Sequence, residues 1–124
     1  MFMKQDWLMR QIEILSVAVA QLVFGKGEIE YELPEEARLD GTDLLCRDLM
    51  ALVARKKIGQ AEDLLFEHLM RSDRKGLALA VEFYRRLNQL TDEELEEGGF
   101  SREEIPEGLR AALDRYDVYL PGLI

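Results

Sequence analysis

The stretch ILSVAVAQLVF, residues Ile14 to Phe24, contains no charged side chain over eleven consecutive positions. It lies in a segment whose pattern predicts one helix from about Met3 to Phe24, with Gly25 as the stop signal. A helix this apolar needs apolar neighbours on more than one side. In a chain of 124 residues, it therefore indicates packing or partnership rather than chemistry.

The apolar side chains of this helix form two neighbouring stripes. One follows alternating spacings of four and three residues, and we expect it to face the protomer's own core; it contains Leu8, Ile12, Leu15, Val19 and Leu22. The other is the candidate interface, and it contains Trp7, Ile14, Val17 and Phe24. We expect the same helix of a second copy to cover it, giving a homodimer. A different protein or peptide partner is the alternative.

The composition predicts an all-α fold in one domain over 1–124. Hydrophobic residues make up 48% and charged residues 33% of the chain, a globular balance, and Leu, Ala, Glu and Arg favour helix. We predict five to six helices in antiparallel hairpins: an N-terminal helix over 1–25, a linker over 26–39 and a helical body over 40–124. The linker alternates apolar and acidic residues, so a β-hairpin is its less favoured alternative.

Residues that typically begin helices divide the helical body into several helices. Asp40 is a suitable N-cap for the first of its helices, and the pattern predicts further helices over about 59–71 and 74–90. Thr91 with Glu94, and Ser101 with Glu104, form two capping-box patterns. The apolar tail, residues 118–124, is expected to dock on the body.

Charge and composition disfavour several classes of function. The net charge of −9 repels phosphate backbones, so we expect no nucleic-acid partner. The apolar run is shorter than the roughly 20 residues that a membrane span needs, and no secretory leader is evident, so we expect a cytoplasmic protein. Peripheral membrane association of the first helix is disfavoured because its polar face carries acids as well as bases.

No catalytic, cofactor or metal site is predicted. His68 is the only histidine, and we expect it to be hydrogen-bonded at the boundary of the core; no metal-ligand spacing accompanies it. Cys46 falls on an apolar stripe and is expected to be a buried thiol. The acidic segment from Asp92 to Glu104 lacks the loop pattern of a calcium site. The alternative function is a small enzyme or ligand-binding domain that uses His68 with Glu62 or Glu67.

The segment ALVARKKIGQAEDLLFEHL, Ala51 to Leu69, resembles the helical hairpin of a tetratricopeptide repeat. Ala61 stands where the two helices of such a hairpin approach closely, and Leu65 follows one turn later. The resemblance implies a tetratricopeptide-like arrangement with a peptide-binding groove. The turn lacks the repeat's aromatic residue and no second copy follows, so an ordinary antiparallel hairpin is the alternative.

Three segments are similar to a family of small uncharacterised bacterial proteins. They are QDWLMRQIE at 5–13, FGK at 24–26 and AEDLLFE at 61–67. The resemblance covers most of the chain and implies a small bacterial cytoplasmic protein. It implies no activity and transfers no site residues.

Overall fold

The computed structural model describes residues 4–19, 21, 41–69 and 74–118. These residues form six helices and no strand, which confirms the predicted all-α class. The helices are α1 (Lys4–Val19), α2 (Gly41–Ala54), α3 (Ile58–His68), α4 (Arg74–Asn88), α5 (Asp92–Glu97) and α6 (Glu104–Arg115). The predicted linker, Leu22, Phe24, the N-cap Asp40 and the tail beyond Val118 lie outside the described residues.

The two predicted capping boxes differ in the structure. At α5 the box is complete: the Thr91 hydroxyl accepts from the Glu94 amide at 3.1 Å, and Glu94 Oε1 accepts from the Thr91 amide at 3.0 Å. These bonds lower the pKa of Glu94. At α6 only half forms, because Glu104 Oε2 accepts from the Ser101 amide while the Glu104 amide bonds back to the Ser101 carbonyl. That bond makes a turn, and the helix begins at Glu104 instead.

Three helices end in the same backbone motif. After α2, the Lys57 amide reaches back to the Leu52 carbonyl at 2.9 Å while Lys56 has a left-handed backbone, φ 62°. The ends of α5 and α6 repeat the arrangement, with Gly99 and Asp117 as the left-handed residues. Such bonds satisfy part of the carbonyls that a helix end leaves open at these three ends.

Helix α4 is the centre of the packing. It contacts α1, α2 and α6, while α2 packs closely on α3 as a hairpin and α1 also touches α6. The largest fully buried side chains include Phe83 and Tyr84 of α4, whose rings meet edge to face at 5.1 Å. The α2–α3 hairpin thus matches the predicted pairing. The wider tetratricopeptide-like arrangement is not confirmed, since α4 gathers helices from both ends of the chain.

The first predicted stripe of α1 lies in this core. Its described members Leu8, Ile12, Leu15 and Val19 are all buried. The opposite side of α1 therefore faces away from the protomer.

Candidate interaction surface and neighbouring cavities

The outward side of α1 exposes large apolar side chains. Trp7 is 45% exposed, and Ile14 and Val17 are 42% exposed. In the described part of the chain, only one other large apolar side chain is exposed to this extent, Leu44 of α2 at 43%. We define Trp7, Ile14 and Val17 as the α1 face; the fourth candidate interface residue, Phe24, lies outside the described residues. Three of the four most exposed apolar side chains thus share one side of one helix.

Polar contacts help to hold α1 in this orientation. Nδ2 of Asn88, at the end of α4, donates to the Met9 carbonyl at 3.2 Å and lies 3.5 Å from Oε1 of Glu13. Asn88 is itself buried. Because these contacts and the buried stripe both attach α1 to the body, its outward face is presented on a fixed support.

A buried arginine organises the end of α4 next to this attachment. The Arg102 guanidinium donates to the backbone carbonyls of Asn88, at 2.9 Å, and Leu90, at 2.6 Å, and to Oδ1 of Asp92 at 2.8 Å. Its side chain is only 4% exposed. Arg102 therefore donates to carbonyls at and just after the end of α4, where no further helical turn supplies amide donors. Sequence reasoning missed this role, and its only local signal was an arginine between two short helical segments.

His68 does not sit at the core boundary as predicted, because its side chain is exposed. The predicted hydrogen bond does form: Nδ1 lies 3.0 Å from the Leu64 carbonyl, one turn back. Since a carbonyl oxygen only accepts hydrogen bonds, Nδ1 is the donor, and Nε2 takes no part in this bond. His68 lines a cavity of about 500 Å³ with Thr42 and Lys75, between the start of α2, the end of α3 and the start of α4.

The carboxylates expected beside His68 are not the ones that line this cavity. Glu67 is exposed and is not among its described lining residues, and Glu62 bonds elsewhere. Instead the buried carboxylate of Asp43 accepts from Lys75 Nζ at 3.0 Å. The histidine and carboxylate pair that would act as a general base is therefore not assembled in the described residues.

Glu62 instead accepts a hydrogen bond from the hydroxyl of Tyr84 at 2.7 Å. Burial raises the pKa of Glu62, and burial together with this bond raises the pKa of Tyr84. The contact is packed against α6 at Gly108, where an added methyl group would overlap the Tyr84 hydroxyl. Sequence reasoning missed the pair; its one signal was Gly108, a glycine inside a helical pattern.

A cavity of about 280 Å³ beside this pair is acidic. Its carboxylates come from Glu62 and Asp63 of α3 and from Glu104 and Glu107 of α6. Among the residues whose positions are described, no three His, Cys, Asp or Glu side chains are grouped so that they could hold a metal ion.

Cys46 is buried, as predicted. Burial raises the pKa of its thiol, with smaller effects from Arg86, Glu82 and Asp43. A thiol in such surroundings stays protonated and unreactive at neutral pH, which matches a structural role.

Comparison with known proteins places the chain in one family. Residues 2–117 match a family of unknown function, DUF6483, and the chain belongs to that family. Neither the curated proteins nor the solved structures include a significant match. Within the described residues, no helix has the length and apolarity that crossing a membrane requires.

Proposed function

We propose that this protein is a non-enzymatic interaction module that self-associates through the α1 face. The observation that supports the proposal is the exposure of Trp7, Ile14 and Val17 on one side of a helix whose other side is anchored in the core. A second copy presents the same face, so a two-fold pair covers both faces at once. The proposal also places the protein in the bacterial cytoplasm. That compartment keeps thiols reduced, and a chain with a single cysteine forms no disulfide within itself.

The size of the α1 face sets the expected strength. Burial of apolar surface contributes roughly 25 cal/mol per Å², but association first has to overcome the loss of rotational and translational freedom. Because the proposed contact uses a single helix, we expect it to bury less than the roughly 800 Å² per partner of a standard interface. We therefore expect a dissociation constant on the order of 1 to 100 μM, unless further residues extend the contact.

Light scattering after size exclusion tests the proposal with a matched pair of variants. Val17→Asp places a charge in the α1 face, whereas Leu44→Asp places the same charge at an equally exposed apolar position on α2. We expect wild type and Leu44→Asp to show an average mass above that of one 14.3 kDa chain, rising with concentration toward two, and Val17→Asp to show the mass of one at every concentration. A monomeric wild type at about 100 μM, or a Val17→Asp dimer of unchanged strength, would contradict the proposal.

The cavity beside His68 supports a second candidate function, the binding of a small polar ligand. Thr42 and Lys75 line it together with the histidine, so hydroxyl, ammonium and imidazole groups share one concave site, in which the Lys75 ammonium also donates to the buried Asp43 carboxylate. Because His68 is the only histidine, its ring signals in proton NMR report on this cavity alone. A saturable shift of these signals on titration with inorganic phosphate would support binding. Signals that stay in place, or that shift linearly without saturation, would remove this candidate.

A further inference from the structure

The outward side of α1 carries opposite charges as well as apolar side chains. Arg10 and Glu13 are both exposed, and both lie between Trp7 and Val17 along the helix. At 100° per residue, Arg10 falls within the α1 face and Glu13 falls on the flank beside Val17. Any contact that covers the apolar side chains must therefore also place these charges close to groups of the covering chain.

The spacing of these residues distinguishes the two ways in which identical helices can pair. In a parallel, in-register pair each residue lies beside its own copy, so Arg10 faces Arg10 and Trp7 faces Trp7. In an antiparallel pair the chain directions are reversed about a two-fold axis. The midpoint between Trp7 and Val17 falls at residue 12, and the midpoint between Arg10 and Glu13 lies within one residue of it. One axis can therefore serve both pairs.

We infer that two copies pair antiparallel through α1, with the two-fold axis between the two helices at the level of residue 12, so that Arg10 of each copy lies beside Glu13 of the other. This inference rests on the proposed self-association and specifies its geometry. In an antiparallel two-fold pair, like flanks of the two helices meet, which brings Arg10 and Glu13 to the same side. Their levels along the axis differ by about 1.5 Å, the rise of one residue.

The same arrangement keeps the two tryptophans apart and matches the helix dipoles. Trp7 of one copy lies level with Val17 of the other, on the opposite flank of the contact, so the two indoles do not compete for one level. Within one helix, Trp7 and Val17 lie about 15 Å apart along the axis, which is the length of the α1 face. Antiparallel helices also set the positive end of one dipole beside the negative end of the other. A parallel pair would oppose like charges and stack two tryptophans at one level.

Charge reversal tests the inference. Arg10→Glu places an acidic side chain of each copy beside Glu13 of the other, and Glu13→Arg places two arginines side by side. Because Glu13→Arg also removes the contact of 3.5 Å with Asn88 Nδ2, its thermal unfolding is measured alongside the wild type, and a wild-type midpoint shows that α1 is still held on the body. We expect each single change to raise the dissociation constant about tenfold or more, because two ion pairs become two repulsions. The double variant Arg10→Glu/Glu13→Arg restores the opposite charges and should return the constant to within about threefold of wild type. The difference between single and double variants should vanish in about 1 M salt, where charges are screened beyond about 3 Å.

A distance measurement provides a second readout that does not alter the charges. A spin label on Gln21→Cys occupies an exposed position, while the buried Cys46 remains unlabelled in the folded protein. In the antiparallel pair the two labels lie about 27 Å apart along the axis, and in a parallel pair they lie side by side.

The outcomes separate this inference from the proposal beneath it. If wild type is a monomer, or if Val17→Asp has no effect, the self-association itself is wrong. If Val17→Asp dissociates the dimer but the single reversals have no effect, or the double variant fails to recover, or the labels lie side by side, self-association stands and the antiparallel geometry is wrong.

Discussion

The hydroxyl of Tyr84 on α4 donates a hydrogen bond of 2.7 Å to Oε2 of Glu62 on α3. Tyr84 is fully buried, and the residues are 22 positions apart in the chain. At this contact α6 presents Gly108, which has no side chain to occupy the space. The bond thus joins α3 to α4 where α6 approaches most closely, at the edge of the acidic cavity.

Glu62 makes the stability of the fold depend on pH. Its pKa is raised above the ordinary 4.5 because burial disfavours the charged form. Between 4.5 and the raised value, the native state binds more protons than the unfolded state, so the free energy of unfolding falls as the pH rises through this window. Glu62→Gln keeps an acceptor for Tyr84 without the charge. We expect it to stabilise the protein at pH 7 and to reduce this pH dependence, as measured by urea unfolding.

The control for this prediction is an exposed carboxylate on the same acidic cavity. Glu107→Gln removes a charge on α6 but no bond to Tyr84, and we expect it to change the free energy of unfolding by less than about 0.5 kcal/mol. A destabilised Glu62→Gln at pH 7 would mean that the ionised carboxylate strengthens the fold.

Gly108 should be intolerant of even one methyl group. An alanine Cβ there would overlap the Tyr84 hydroxyl and come within 2.6 Å of Glu62 Oε2, so we expect Gly108→Ala to cost about 1–3 kcal/mol. Gly59→Ala is the matched control, because nothing lies within 4 Å of the added methyl in α3. It should stabilise the protein by about 0.5 kcal/mol through the unfolded state. Equal effects of the two changes in thermal unfolding would contradict the close approach at α6.

Loss of Arg102 should lower the free energy of unfolding more than loss of Asp92, its exposed ion-pair partner. Arg102→Met leaves the carbonyls of Asn88 and Leu90 without their buried donor, and we expect a loss of about 2–3 kcal/mol in chemical unfolding. Asp92→Ala removes only one contact, to a carboxylate that is 56% exposed, and should cost less than about 1 kcal/mol. The reverse order of the two effects would show that the ion pair, rather than the carbonyl bonds, holds this region.

Lys56 occupies a backbone conformation that favours glycine. With φ at 62° its Cβ is strained, so Lys56→Gly should stabilise the protein by about 1 kcal/mol. The change also removes contacts of 3.7 and 3.8 Å to Glu94 and Glu97, but exposed pairs of this kind contribute little. Lys56→Ala removes the same contacts and keeps the strain, so it should show no gain. If alanine and glycine stabilise equally in thermal unfolding, backbone strain is not the cause.

Local patterns predicted the features that depend on local geometry. The spacing of Leu8, Ile12 and Leu15 identified the buried side of α1, because helix periodicity alone decides which residues share a side. The capping box at Thr91 was predictable for the same reason, since both of its bonds span three residues. The linker and Phe24 stay as predictions, because they lie outside the described residues.

The contacts that sequence reasoning missed join residues far apart in the chain. Arg102 bonds to Asn88 across 14 positions, and Asn88 reaches Met9 across 79. Such contacts depend on how whole helices cross, which no periodicity specifies. His68 is a case in between: its bond to Leu64 follows from helix spacing, but its exposure depends on where α2 and α4 begin around it.

The emission of Trp7 over a dilution series tests self-association through α1 most directly, because Trp7 is both the only tryptophan and a member of the α1 face. From about 100 μM down to about 0.1 μM, a dimer of the expected strength dissociates. We predict that the wild-type emission maximum moves to longer wavelength on dilution, as the indole returns to water. Val17→Asp should show the long-wavelength maximum throughout. A wild-type maximum that is independent of concentration and equal to that of Val17→Asp would contradict the account.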